Sequence, residues 1–406
     1  MKLFVLTILT LVYVWEMALI VLSMRSEKHA VPVNVADVYD RDTYLSWRRY
    51  HHEKSRLSLA STTALYAVNV ILEEGNLYSA FARFFPDTLF LQMFAVLLLS
   101  ALSDLLLLPF AYYRTMRLEE KYGFNRSSKK TFWTDHAKEF LLGLLLMTFV
   151  GVLLIWLHRS LGDEMVPVFA AVMMLLALFV SFLYPEISRL FNKFTPLEEG
   201  ELKDRLTALL QKHGYRVRAI QVMDASRRTT RSNAYFSGFG KMKTIVLYDT
   251  MLQQMTPDEI CAVFAHELGH GLHHDTLRNQ ALSFLPMLAV GALAWLILKP
   301  AELYTAFGFD RVNYGFALVL TMGEGVAFFF PLFGLVNNWF SRRAEYRADA
   351  QAVQEGFADA LVSALKKLAR ENYSDLAPHP LLVLLEYSHP PLSQRIEAIE
   401  KLKASL

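Results

Sequence analysis

His266-Glu267-Leu268-Gly269-His270 sets two imidazoles four residues apart with a carboxylate between them. Positions four apart share one face of a helix, so both rings can bind one ion. Glu267 can then take a proton from a water that the ion activates. A catalytic zinc normally has three protein ligands and keeps a fourth position open. A metzincin would complete its set with a glycine three residues, and a histidine six residues, after the second histidine. Those positions hold His273 and Thr276, so the pattern fails at both. His274 lies one turn past His270 and could reach the ion only by bending the helix; His273 and His274 are expected in solvent. A glutamate from a second helix is the remaining option, and Ser341-Arg342-Arg343-Ala344-Glu345-Tyr346-Arg347-Ala348-Asp349 supplies it. Glu345 and Asp349 are also four apart, so Glu345 can ligate one Zn2+ while Asp349 holds the free N–H of a ligand histidine.

These residues need helices to carry them. The segment 257–276 reads as one helix, with Thr256 as N-cap, Pro257 at the first position and Glu259 three residues after the cap. Ile260, Val263 and Phe264 bury it, which raises the cost of two histidines and a glutamate that have no role. Upstream, 198–213 reads as an amphipathic helix ended by Gly214. Residues 216–223 and 243–249 alternate as strands do, with 224–242 between them.

Most of the remaining chain is apolar. Hydrophobic residues make up 54% and charged residues 20% of the 406, so much of the surface must face something other than water. The stretches 3–24, 88–112, 139–158, 166–185, 281–299 and 314–339 each approach or exceed the roughly 20 apolar residues a bilayer crossing needs. A seventh, 57–74, contains Ser61, Thr62, Thr63 and Asn69 and suits a buried or cavity-facing helix. Lys and Arg concentrate in cytoplasmic loops. The connections at 25–56 and 113–138 and the long segment 186–280 are rich in both, whereas the others hold Arg83, Arg159, and Arg311 with Lys299 at its edge. The alternation is consistent only if all seven helices cross, which puts the C-terminus in the cytoplasm and the N-terminus opposite. The resulting organisation is a five-helix membrane region at 1–185, the first part of a metalloprotease domain at 186–280, a membrane hairpin at 281–339 and the second part of that domain at 340–406.

Other features narrow the class. The first apolar stretch carries Glu16 and lacks a small-residue cleavage pattern, so it reads as a retained anchor. The single cysteine, Cys261, excludes an internal disulfide, and a net charge of +2 gives no basis for nucleic-acid binding. Glu16, Asp104 and Glu324 lie inside apolar runs, where an ionised group facing lipid is costly; they are expected to face a hydrated interior or one another.

His-Glu-Leu-Gly-His followed by Ser-Arg-Arg-Ala-Glu-Tyr-Arg-Ala-Asp resembles the membrane metallopeptidases of the CAAX prenyl protease 1 family. The resemblance covers almost the whole chain. It includes Val35-Ala36-Asp37-Val38-Tyr39-Asp40, Glu120-Lys121-Tyr122-Gly123-Phe124-Asn125 and Phe191-Asn192-Lys193-Phe194-Thr195-Pro196-Leu197. The shorter zinc-dependent heat-shock proteases share the metal motifs, but generally have fewer spans and lack those upstream stretches. The resemblance implies a mostly α, polytopic membrane protein: seven transmembrane helices around an internal chamber, with a gluzincin-like cytoplasmic metalloprotease domain containing a small β-sheet. It implies a peptide or protein substrate, prenylated, from which the last three residues are cut. Ser232-Asn233-Ala234-Tyr235-Phe236 resembles the strand bordering the family's cleft, where Asn233 would hold substrate backbone. Within His389-Pro390-Pro391-Leu392-Ser393-Gln394-Arg395 the resemblance assigns His389 to the oxyanion. Arg395 would bind a backbone carbonyl or support the ligand shell. Asp349 becomes a proton-donor candidate, although its spacing suits orientation of a histidine better. The chain is shorter than the eukaryotic enzymes and its Lys-Ala-Ser-Leu terminus is no retention signal, so endoplasmic reticulum and bacterial inner membrane both fit. Two alternatives stand beside this reading: a quality-control peptidase with no prenyl requirement, and a transporter or channel with a structural zinc. Three ligands plus an intact Glu267 argue against the second, because structural zinc is usually closed by four.

Overall fold

Helices satisfy their own backbone polar groups, which is why apolar runs away from water take that form. In the computed structural model, which describes residues 1–237 and 242–406, the N-terminal half is a set of such helices. They are α1 (Lys2–Arg25), α2 (Arg41–Glu74), α3 (Leu89–Leu105), α4 (Lys129–Leu161) and α5 (Met165–Ser188). Among the described residues, five helical stretches are long and apolar enough to cross a membrane: Lys2–Lys28, Leu89–Glu119, Lys129–Val180, Leu277–Leu298 and Tyr314–Gln354. The third is a hairpin, because the turn Gly162–Glu164 separates α4 from α5. Leu141, Leu145, Trp156, Leu175 and Leu332, on these helices, are each more than 60% exposed. Such a band of bare apolar side chains fits lipid and not water.

The connections sort into two groups. At one end Lys2 donates to the Glu74 carbonyl (2.8 Å), Arg83 to the Gly308 carbonyl (2.6 Å) and Trp295 to Asp163 (2.7 Å). These join the base-poor connections. At the other end Trp47 donates to the Tyr373 carbonyl (3.1 Å), Tyr39 to that of Ser374 (2.8 Å), and the Arg126 amide to the Arg228 carbonyl (2.9 Å). These join the base-rich connections to both parts of the polar domain. α2 holds Trp47 near its start and Glu74 at its end, so it runs from one group to the other. Its 34 residues span roughly 50 Å at about 1.5 Å each. Of the acids inside apolar runs, Glu16 and Asp104 are exposed. Glu324 is buried and lies beside buried Glu73, so its neighbour is a carboxyl that the apolar pattern did not single out.

The polar domain begins with β1 (Phe194–Pro196), α6 (Glu201–Lys212), β2 (Arg216–Met223), β3 (Ala234–Ser237) and β4 (Met242–Tyr248). The sheet order is β1-β2-β4-β3, with β2 and β4 parallel and the outer pairs antiparallel, so β3 is an edge strand. The two expected strands are β2 and β4. The second stops at Tyr248, since Asp249 opens a short helix. Then come α7 (Pro257–Leu272), α8 (Phe284–Leu298), α9 (Tyr314–Gln354), α10 (Ala358–Glu371) and α11 (Leu392–Ser405). The predicted helix over 257–276 is shorter than expected. His274 takes a left-handed φ of 55° and the chain restarts as a separate helix, Asp275–Leu282. Leu206, Leu210, Ile245, Leu247, Phe264 and Leu268 form the core that joins α6, the sheet and α7.

Candidate active site

α7 starts at a full capping box. The Thr256 hydroxyl accepts from the Glu259 amide (3.3 Å), and Glu259 accepts from the Thr256 amide (2.8 Å). Lys367 and Ser363 hold the rest of that buried carboxylate, so the helix is anchored from its first turn. α7 then crosses α9 at Gly269. A Cβ there would lie 2.8 Å from the Ala348 Cα, so only glycine permits this approach. The small side chains of Ala344 and Ala348, both buried, complete the seam. The close crossing brings Glu345 and Asp349 against the two histidines.

His266 Nε2 lies 3.5 Å from one Glu345 oxygen and His270 Nε2 3.3 Å from the other. Their three candidate ligand atoms are all within 4.8 Å of one another. The far side of each ring is fixed by a carboxylate. His266 Nδ1 donates to Asp349 (2.9 Å), and His270 Nδ1 donates to Asp275 (3.0 Å). In the neutral rings each Nε2 then carries its lone pair inward, the arrangement that metal-binding histidines use. Although Glu345 is buried, its Oε2 has no hydrogen-bond partner. An Arg395 nitrogen lies 3.2 Å from it, and a metal ion between this oxygen and the two rings would give it the bond it lacks. Two imidazoles and a carboxylate form a donor set that fits zinc. Burial would depress the His270 imidazole, but the hydrogen bond and charge of Glu345, with Asp275 behind, raise it to about 9. Burial would likewise raise Glu345; the His270 hydrogen bond and the charges of Arg395 and His266 overcome it and hold it at about 2. Without an ion, the cluster is thus a tight proton-holding site.

The other expected residues fall around this cluster. Arg395, on α11, is buried and donates twice to Asp349, at 2.6 and 2.9 Å, with a third nitrogen 3.2 Å from Glu345. His389 is exposed, yet its Nε2 lies 3.3 Å from Glu345, and its Nδ1 pairs with Ser388 (2.9 Å). Glu267 is half-buried and makes no hydrogen bond with any described residue. Asn233 is exposed at the start of β3, where its side chain accepts from the Ala234 amide (2.9 Å); β3 packs against α7. His273 and His274 are exposed, as the spacing predicts. Asp275 was missing from the sequence reading. It is buried and receives Arg347 (2.7 Å) and Arg278 (2.9 Å) as well as His270. Its signal was an acid directly after a His-His pair that cannot continue the helix.

A metallopeptidase site carried on several apolar, membrane-length helices defines a multi-pass membrane metalloprotease. Residues 21–193 match the CAAX prenyl protease N-terminal family, described as five membrane helices, and residues 196–403 match peptidase family M48. The CAAX prenyl protease 1 homolog of Arabidopsis thaliana is 38% identical over 72% of this chain and 69% of its own length. The Homo sapiens homolog is 30% identical over 97% of this chain and 94% of its own. The crystal structure of S. mikatae Ste24p superposes with a TM-score of 0.90 at 28% identity, covering 98% of this chain and 99% of that one. The chain belongs to the CAAX prenyl protease 1 family of M48 metallopeptidases. Membership in a family of peptidases displaces the transporter alternative.

Proposed function

We propose that this chain is a zinc endopeptidase that removes the last three residues of prenylated proteins. The observation that carries the chemistry is the inward-facing set of His266 Nε2, His270 Nε2 and Glu345, whose candidate ligand atoms all lie within 4.8 Å of one another. Zinc held there supplies a Lewis acid that makes water acidic enough to ionise near neutral pH. His266, His270 and Glu345 hold the ion, and Asp349 and Asp275 keep the two rings aimed at it. Glu267, free of hydrogen bonds with the described residues and set between the two ligand histidines in sequence, accepts the proton of the attacking water and passes it to the leaving amine. His389 donates a hydrogen bond to the oxyanion from the accessible side of the site. Both oxygens of Asp349 are already engaged by His266 and Arg395, which favours the orienting role over proton donation. Arg395 spends its guanidinium on the same carboxylates, so of its two expected roles the support of the ligand shell is favoured. Asn233, exposed on an edge strand beside α7, would hold substrate backbone.

The reading includes seven membrane spans around a chamber. The hairpin within Lys129–Val180 adds one span to the five apolar stretches, and α2, linking the two groups of connections, adds another. The polar side chains of α2 suit a helix that faces an interior. The base-rich group of connections, with the active site, would be cytoplasmic and the N-terminus opposite. The test is cleavage by the purified, bilayer-reconstituted protein of a farnesylated CAAX peptide and its unprenylated twin. The farnesylated peptide should have a kcat/KM at least about tenfold higher, equivalent to ~1.4 kcal/mol of additional binding. Equal values for the two would remove the prenyl requirement and leave a general membrane peptidase.

A further inference from the structure

A second charged region lies apart from the metal ligands. A cavity of about 580 Å³ opens where α2, the helical segment that continues from α3 to Glu119, and the 228–231 segment meet. Lys54, Arg114, Arg228 and Arg231 line it, together with Glu119 and His136. Arg228 is matched by Asp135 (3.0 Å), and Arg231 by Glu119 (3.1 Å), which also accepts from Tyr50 (2.7 Å). Lys54 and Arg114 have no carboxylate partner among the described residues. Arg231 Nε and His136 Nε2 are buried and have no hydrogen-bond partner. Burial, then the charges of Arg114 and Arg231, hold the Lys54 ammonium below the ordinary lysine range, and Glu119 offsets this only in part. Unmatched cations and an orphan guanidinium N–H around a solvent-filled space are the signature of a site for an anion.

The chain path says which anion. Arg231 precedes Asn233 by two residues and the edge strand β3 by three, and β3 packs against α7. A peptide pairing antiparallel with β3 runs opposite to it, so its C-terminal end extends past Ala234 toward Arg231. Parallel pairing would instead carry the upstream body of the substrate, and not its C-terminus, to the cluster of cations. Three extended residues reach roughly 10 Å, and only Ser232 and Asn233 separate Arg231 in the cavity wall from the start of the strand. We propose that this cavity is the subsite for the free C-terminal carboxylate of the peptide being cut, with Lys54, Arg114 and Arg231 as its recognition groups. This rests on the reading of the enzyme as one that releases a C-terminal tripeptide. Seryl side chains in the wall, Ser58 and Ser61, suit a carboxylate and the last residue better than a lipid headgroup with its acyl chains.

The experiment uses the full chain in vesicles and a farnesylated CAAX peptide as free acid and as C-terminal amide. With wild type, the amide should show a KM about tenfold or more above the acid, with kcat nearly unchanged. In Lys54→Gln/Arg114→Gln, the KM of the acid should rise to that of the amide while the amide is unaffected. Equal KM values for acid and amide in wild type would overturn the proposal, and that comparison does not depend on any variant folding. It would also be overturned if the double variant lowered kcat equally for both peptides, or if its effect followed the anionic-lipid content of the vesicles instead of the peptide terminus. Should neither peptide be cut while an internal sequence is, the tripeptide reading fails by itself. Direct binding of the free tripeptide acid and amide to wild type then decides the subsite, a preference for the acid supporting it and equal binding ending it.

Discussion

The metal cluster and the cationic cavity both bury ionisable groups, but what each leaves unpaired has opposite sign. Around His266 and His270, Glu345, Asp349 and Asp275 converge, and among the described residues the atom left without a hydrogen bond is an acceptor, Glu345 Oε2, ion-paired with Arg395 at 3.2 Å. Around Lys54 and Arg114, the single carboxylate facing the space is taken by Arg231 and Tyr50, and an atom left over is a donor, Arg231 Nε. A buried charge unmatched by the protein identifies the charge of what it is built to hold. The first region also has its geometry fixed by a second layer of hydrogen bonds. The second is held more loosely, with Lys54 and Arg114 anchored by no carboxylate.

Removing a ligand tests that contrast most severely. His270→Ala or Glu345→Ala should reduce bound zinc from one per chain to near none and peptide cleavage to background, checked by metal analysis on the same sample. Retained zinc in Glu345→Ala would move the third ligand elsewhere. Next in size is Arg395→Ala. It removes both guanidinium bonds from buried Asp349 and leaves it only His266, which should cost about 3–5 kcal/mol of stability, read as a large drop in the melting temperature of the metal-free protein. Asp275→Asn should lower zinc affinity about 10–100-fold without loss of fold, because it loosens one histidine and not the ligand set. No change in affinity would mean that the His270–Asp275 bond is incidental.

The smallest effect is one of pH. In the metal-free protein His270 holds its proton up to about 9, against an ordinary value of 6.5. Its raised value contributes stability that is fully present below pH 6.5 and is lost as pH rises through about 9. Zinc must displace that proton, so its affinity should increase about tenfold per pH unit between these values and then level off. A flat profile over that range would show that His270 is not protonated in the empty site.

Much of the site was legible because helical spacing is local information. Two histidines and a glutamate within five residues, and Glu345 with Asp349 four apart, define faces without any knowledge of the tertiary fold. The exposure of His273 and His274 followed in the same way. Long apolar runs gave the membrane helices, and alternating segments gave β2 and β4. Asp275 was not legible, since its role depends on a break at His274 that places a separate helix start beneath His270. β3 shows no clear alternation of its own, and only the resemblance of residues 232–236 to a cleft-bordering strand pointed to it. The Glu73–Glu324 pair is a contact between residues 251 positions apart (324 − 73), which no pattern within either segment announces. The cationic cavity was invisible for the same reason, as its basic residues were read only as loop charge.

The central claim is that Glu267 carries the proton at an ion held by His266, His270 and Glu345. The most direct measurement is zinc content and tripeptide release from a farnesylated CAAX peptide, in wild type and Glu267→Gln side by side. The account predicts one zinc per chain in both and a rate lower by about 10²–10⁴-fold in the variant. Full zinc with an undiminished rate in Glu267→Gln would contradict it.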